Sequence, residues 1–272
     1  MLWLAAAVLP SLLGTQPVPE GCVALAAPRV DMKANVARAT SSPWVEANAW
    51  RFVRAPDKTF CIDAPGKLSA LAAAEAFAYG VAAFINASAE GLEPFRAMLT
   101  FLRSLPQADL PAMVNIGVVD DGTVQAGELM NLLSRRNLLY RAGRSPDAQL
   151  RVNVTRIDAG DPNAQAYQIR QQVGDDNRLL RLYGSEVVAG RLTGGKSGNG
   201  VAGGQRVRLH LLNYSQRVVT GLRVRVLGNY PRADVHIYGV PEARLMDFSS
   251  NAEATEFTVV NLHEYAVIDL DK

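Results

Sequence analysis

AMVNIGVVDDGTVQAGELMNLLSRRNLLY, residues 112–140, contains a strand, a turn, a helix and a second strand in succession. Residues 113–119 form a short apolar run with β-branched Val114, Ile116, Val118 and Val119, the pattern of a strand covered on both faces. Asp120-Asp121-Gly122 then breaks the run, since Asp and Gly favour turns. Ala126, Leu129, Met130 and Leu133 follow at helical spacing. Arg135 and Arg136 fall in the last turn, where cations complement the helix dipole. Asn137 can end the helix, and residues 138–140 can open the next strand. Ligands of open α/β sheets bind beyond the carboxyl ends of strands. Asp120 and Asp121 occupy such a position, with Glu128 about two turns along the helix. The plainer reading makes one Asp a helix cap and leaves the other solvated.

Outward from this unit, the N-terminal side repeats its grammar. Residues 50–54 (WRFVR) and 59–62 alternate like strands. LSALAAAEAFAYG, residues 68–80, is apolar on every face, so it predicts a helix buried all round. Its single charge, Glu75, must then be paired or protonated. Arg51 or Arg54 is the expected partner in a salt bridge fixing strand to helix. A catalytic acid with a raised pKa is the functional alternative. A strand at 82–85, a helix at 92–105 and the unit at 112–140 continue the alternation, which predicts one Rossmann-like or partial-barrel parallel sheet with helices on its faces. Residues 150–154 read as a further strand, and Asp161-Pro162 as a capped helix start.

After Asn177 the pattern changes to strands, expected at 178–183, 186–193, 205–214, 218–227, 233–239, 255–260 and 264–270. Seven short strands between Gly, Pro and Asn turns predict an antiparallel β-sandwich. The fold class is therefore α/β, an α/β domain at 27–176 followed by a β-sandwich at 177–272. Arg206, Arg208, Arg223 and Arg225 alternate along two of these strands and read as a solvated outer face protecting the sheet.

Residues 1–26 read as an export signal, with an apolar stretch from Leu2 and small residues around Ala26. An exported protein, periplasmic or extracellular, is the expectation. Cleavage after Ala26 would leave Cys61 without its only possible partner, Cys22. No later stretch offers the roughly 18 uncharged apolar residues of a membrane span. A net charge of +2 in 272 residues gives no pull toward nucleic acid. Residues 190–197 (GRLTGGKS) formally match a phosphate-binding loop, but the Gly-rich continuation cannot open the helix that such a loop requires, so a flexible loop between strands is the better reading. His210, His236 and His263 lack metal-ligand spacing. No hydrolase elbow and no dinucleotide-binding glycine pattern is present. No cofactor or metal is expected.

Residues 44–51, the ALAAAEAFAYG helix, NIGVVDDG followed by LLSRRNLLY, and the C-terminal strands resemble the rear portions of exported bacterial glycoside-hydrolase-like proteins. In that family a catalytic barrel is followed by an amidotransferase-like α/β domain and a small β-sandwich. The resemblance implies a non-catalytic, carbohydrate-associated role in binding or as an accessory, with a glycan as partner. Trp44, Trp50 and Asn48 would contact that glycan, since indole faces stack on sugar rings, and Glu128 completes the expected ligand set. If the protein is instead a glycoside hydrolase, Glu75 with Asp120 or Asp121 is the carboxylate pair. A structural or protein-binding module is the third possibility.

Overall fold

A computed structural model describes residues 8–10, 20–35, 39–196 and 205–272. The α/β part holds two parallel sheets where the alternation predicts one. The first has the order β1 (Val8–Pro10), β6 (Ala82–Ala87), β5 (Thr59–Ala64), β2 (Val23–Ala26). The second has the order β8 (Tyr140–Gly143), β7 (Ile116–Val119), β9 (Val152–Val154). The rest of this part is a hairpin of β3 (Arg29–Asn35) and β4 (Thr40–Glu46) and five α-helices: α1 (Ala49–Arg54), α2 (Leu68–Tyr79), α3 (Leu92–Ser104), α4 (Val124–Arg135) and α5 (Pro162–Val173).

The organising unit folds as its pattern requires. Ile116 and Val118 of the central strand β7 are buried, and so are Ala126, Leu129, Met130 and Leu133 of α4. Thr123, not an aspartate, caps α4: its hydroxyl accepts from the Ala126 N–H at 3.1 Å. Asn137 takes a positive φ of 53° after the helix, a conformation Asn tolerates better than most residues. Helix α2 is buried all round and ends on Gly80 in the left-handed conformation, the usual C-terminal stop.

Four local expectations are corrected. Residues 50–54 are helical: Ala49 and Phe52, three apart, face the core, and five residues are too few to separate period 2 from period 3.6. The stretch 27–47, expected to be irregular, contains the β3–β4 hairpin; a two-stranded ribbon has only edge strands, so it accommodates Pro43. Residues 190–196 belong to a strand, and 197–204 lie outside the described residues. Cys22 and Cys61 form a disulfide, and residues 23–26 pair in parallel with β5. Cleavage after Ala26 would therefore strip a strand and a cross-link from the first sheet. Of the expected signal segment, residues 1–7 and 11–19 lie outside the described residues.

The β-rich part comprises two four-stranded antiparallel sheets. One has the order β10 (Leu180–Tyr183), β13 (Val219–Leu227), β16 (Ala254–Leu262), β15 (Leu245–Ser250); the other β11 (Val188–Lys196), β12 (Gln205–Asn213), β17 (Tyr265–Asp271), β14 (Arg232–Ile237). Leu222, Val224 and Phe257 of the first sheet share one apolar core with Leu209, Leu211 and Ile268 of the second. The opposite face of the second sheet is also covered, because Leu212, Tyr265 and Val267 join the core around α2 and α3. Strand β15 has no counterpart among the expected strands. It is an edge strand exposed along most of its length, with a bulge between Met246 and Ser249, so it carries no apolar alternation to read.

The chain between α3 and β7 joins the two parts. Met113 N–H donates to the Leu192 carbonyl at 2.9 Å, and Gly194 N–H to the Pro111 carbonyl at 2.8 Å. Residues 111–113 thus cover the edge of β11 that β12 leaves open. A side chain at Gly194 would collide with Met113, which is why glycine stands at this close approach.

Candidate functional site

Glu75 is fully buried on α2. Its Oε1 accepts three hydrogen bonds: from the N–H of Asn48 at 2.9 Å, the N–H of Ala49 at 3.2 Å and the hydroxyl of Tyr214 at 2.9 Å. Its Oε2 is buried with no partner. Burial pushes the carboxyl up to about 7, against the pull of these donors and of the more distant Arg51. The expected salt bridge is absent among the described residues. Arg51 bonds instead to the Ala47 carbonyl and the Asn48 side chain, and Arg54 forms a bidentate pair with Asp120 at 2.6 and 2.7 Å. Glu75 thus ties the start of α1 to α2 and the β-rich part, where Tyr214 follows β12. Charge pairing gives way to helix-end hydrogen bonding because α1 is a helix and presents free N–H groups to the carboxylate.

Asp120 and Asp121 follow β7 as expected. Asp120 is occupied by Arg54 and the Gly122 N–H, and Arg54 holds its carboxyl below the usual range. Asp121 is exposed and accepts from the N–H and hydroxyl of Thr123. Glu75 contacts the first residues of α1 and Asp120 the last one. Glu75 is thus sealed in the core at the start of α1, while Asp120 is held by the Arg54 side chain at its end.

The ligand residues expected around the tryptophans are also committed to internal contacts. Lys33 Nζ lies 3.2 Å and Arg135 Cζ 3.4 Å from the Trp44 ring centroid. Two cations so close to one centroid must cover opposite faces, which leaves no face for a sugar. The Arg51 guanidinium lies 4.3 Å from the Trp50 ring, whose far edge packs on Gly127. Asn48 is buried, and its amide donates to the Ala26 carbonyl at 2.9 Å. Asn48 is therefore no glycan contact. Glu128 is exposed on α4 and acts electrostatically on Arg135, the cation over Trp44.

A cavity of about 360 Å³ opens instead between edge strand β8 and β11, within the range of about 300–1,000 Å³ common for small-molecule sites. Phe52, Leu139 and Leu192 supply apolar walls; Tyr79, Tyr140 and Arg191 supply polar groups. Tyr140 Oη lies 3.1 Å from Ser134 Oγ, also in the lining. Burial pushes the Tyr79 hydroxyl up to about 12, so it is a protonated donor at neutral pH. Arg191 faces Tyr79, with Cζ 4.3 Å from the ring centroid. Its Nε is buried without a hydrogen-bond partner, and no carboxylate among the described residues pairs with it. Burial lowers its pKa, opposed only by the tyrosines 79, 265 and 140. Desolvating an unpaired ion costs several kcal/mol, while a cation–π contact returns about 0.5–2 kcal/mol. Tyr79 therefore compensates only part of the charge.

Arg191 shares a face of the second β-sheet with other buried polar residues, and they differ from it in being paired. Its cross-strand neighbour His210 bonds through Nδ1 to Tyr265 Oη at 2.6 Å; burial, then Arg191 and Arg208, hold that imidazole well below its ordinary pKa. Arg208 forms a bidentate pair with Asp269, both buried. The expected solvated arginine face is thus corrected at Arg208. Arg206 pairs with Asp271, and Arg223 and Arg225 with Glu256. No group of His, Cys, Asp and Glu among the described residues is arranged to hold a metal. Sequence reasoning missed Arg191, Tyr79 and Tyr140. Arg191 stood inside the phosphate-loop pattern, but only the tertiary structure reveals that it lacks a carboxylate.

No helix among the described residues is long and apolar enough to cross a membrane. Comparison with protein-family models finds no match, and comparison with curated proteins finds none. Among solved structures, the fold is similar to that of alpha-L-fucosidase isoenzyme 2 from Paenibacillus thiaminolyticus, with a TM-score of 0.56 and 7% sequence identity. The match covers 81% of this chain and 62% of that one, so this chain spans less than two thirds of that structure. The likeness is one of fold, and it agrees at that level with the glycoside-hydrolase-like resemblance read from the sequence.

Proposed function

We propose that this is an exported, non-catalytic protein with a carbohydrate-associated binding or accessory role, built from an α/β domain and a β-sandwich. The observation that carries the reading is the cavity between β8 and β11, whose aromatic walls and hydroxyl groups are the lining that sugar rings need. The fold likeness to a fucosidase supports a glycan as the ligand class. The complete burial of Glu75, and the engagement of Asp120 by Arg54, support a non-catalytic role over hydrolysis. Glycosidases need two free carboxyls within about 5–10 Å of each other across the scissile bond. The Cys22–Cys61 disulfide supports export without cleavage after Ala26, because such cross-links persist in oxidising compartments and this one needs Cys22 retained.

Calorimetric titration with neutral mono- and oligosaccharides tests the reading. Saturable binding is expected, and Ala112→Trp, which fills the cavity from an exposed lining position, should abolish it. Binding that survives this substitution unchanged puts the ligand elsewhere. Turnover of aryl glycosides that disappears in Glu75→Gln refutes the non-catalytic role.

A further inference from the structure

From Arg191 we infer that the cavity recognises an anionic ligand: a carboxylate carried on a sugar-sized ring, with the carboxylate at the guanidinium and the ring against the aromatic wall. The inference rests on the glycan reading for the ring and on independent geometry for the charge. Arg191 lies in the cavity lining, and its Nε is buried and unpartnered. Tyr79 packs against the guanidinium, with Cζ 4.3 Å from its ring centroid, and because Nε is sealed from solvent the two terminal nitrogens are the donors left to a ligand. A planar, bidentate donor of this kind matches a carboxylate.

The comparison with the other arginines sharpens the point. Arg135, Arg178 and Arg225 also have one buried nitrogen without a partner. Each reaches a carbonyl or carboxylate through another nitrogen: Arg135 the Pro43 carbonyl, Arg178 the Arg136 carbonyl, Arg225 the Glu256 carboxylate. Arg181 has an unpartnered Nε as well but lies beside the exposed Tyr183, outside the cavity lining. Arg191 alone of this group combines an unpaired guanidinium with a cavity wall. Its cross-strand neighbour His210 brings no counter-charge, since burial holds that imidazole well below its ordinary pKa. Asp269, the buried acid closest to this cluster in the strand register, is held by Arg208.

The test uses three probes on the full chain: D-glucuronate, its neutral methyl ester, and benzoate, each titrated by calorimetry. Glucuronate is expected to bind at least 10-fold more tightly than the ester. Arg191→Gln should weaken glucuronate about 10- to 100-fold, the worth of a charge-assisted hydrogen-bonded pair, and leave the ester unchanged. Arg191→Lys, which keeps the charge and loses the fork, should fall between. Equal affinities for glucuronate and ester in the parent protein overturn the inference and leave the glycan reading standing. Arg191-dependent binding of benzoate with no binding of either sugar keeps the anion site and overturns the glycan reading. Silence from all three overturns both. The comparison of acid and ester needs no variant, so it decides the question even if Arg191→Gln does not fold.

Discussion

Replacing Glu75 by Gln should change how stability depends on pH more than it changes the fold. The amide keeps an oxygen for the Asn48, Ala49 and Tyr214 donors and puts its NH₂ where Oε2 has no partner, so it imitates the protonated acid. Burial raises the carboxyl from an ordinary 4.5 to about 7. Below pH 4.5 both folded and unfolded chains hold the proton. As pH rises toward 7 the unfolded chain releases it first, and stability is lost through that window. The displacement is worth about 3 kcal/mol, or about 6–12 °C in melting temperature for a chain of this size. His210 works in the opposite direction: its lowered pKa takes stability away as pH falls below about 6.5. The informative quantity is therefore the difference between parent and Glu75→Gln in urea unfolding free energy, which cancels the histidine contribution. It should be small near pH 5 and favour the variant by about 3 kcal/mol at pH 8. A difference curve that stays flat from pH 4.5 to 8 refutes the assignment of a buried, reluctant carboxyl at this position.

Three other perturbations probe the contacts that position the cavity. Cys22 and Cys61 close a loop with a sequence separation of 39, so the double alanine variant should lose about 4 kcal/mol in denaturant unfolding; an unchanged midpoint means that the bond is not formed. In Gly127→Ala the new Cβ would meet Trp50 at 2.8 Å and 2.9 Å, from Cζ3 and Cη2, and the overpacking should lower stability by about 1–3 kcal/mol, with a shift in tryptophan fluorescence as its spectroscopic sign. Asp269→Ala strands the buried Arg208 and should lose about 3–5 kcal/mol, while Arg208→Met combined with Asp269→Leu should recover most of it; thermal melts of both variants decide this.

The strand, turn and helix of residues 112–140 were legible because their apolar residues recur at one unambiguous period and are buried accordingly in β7 and α4. The same held for α2, whose uniform apolarity specifies burial without specifying a neighbour. Where tertiary partners decided the outcome, local pattern misled. WRFVR has the alternation of a strand, yet it folds as α1 with its first N–H groups accepted by Glu75, a residue 26 positions away from Ala49. The alternation of strands and helices indicated parallel pairing but not that residues 106–115 leave the first sheet, run along β11 and then start a second one.

The candidate site shows the limit most clearly. Residue type drew attention to carboxylates and tryptophans, since those side chains carry glycosidase chemistry and sugar stacking in general. In the folded chain, however, availability matters more than type. Asp120 is spent on Arg54, Trp44 on two cations and Asn48 on a backbone carbonyl. Arg191, inconspicuous among many arginines, is the charged group in a cavity that the fold leaves without a counter-ion. An unpaired charge is a property of what surrounds a side chain in space, so no reading of spacing or composition reaches it. The converse also holds: Arg206, Arg208 and Arg225 meet carboxylates supplied by the neighbouring strand, as Arg208 does Asp269, whereas the strand beside Arg191 offers it His210.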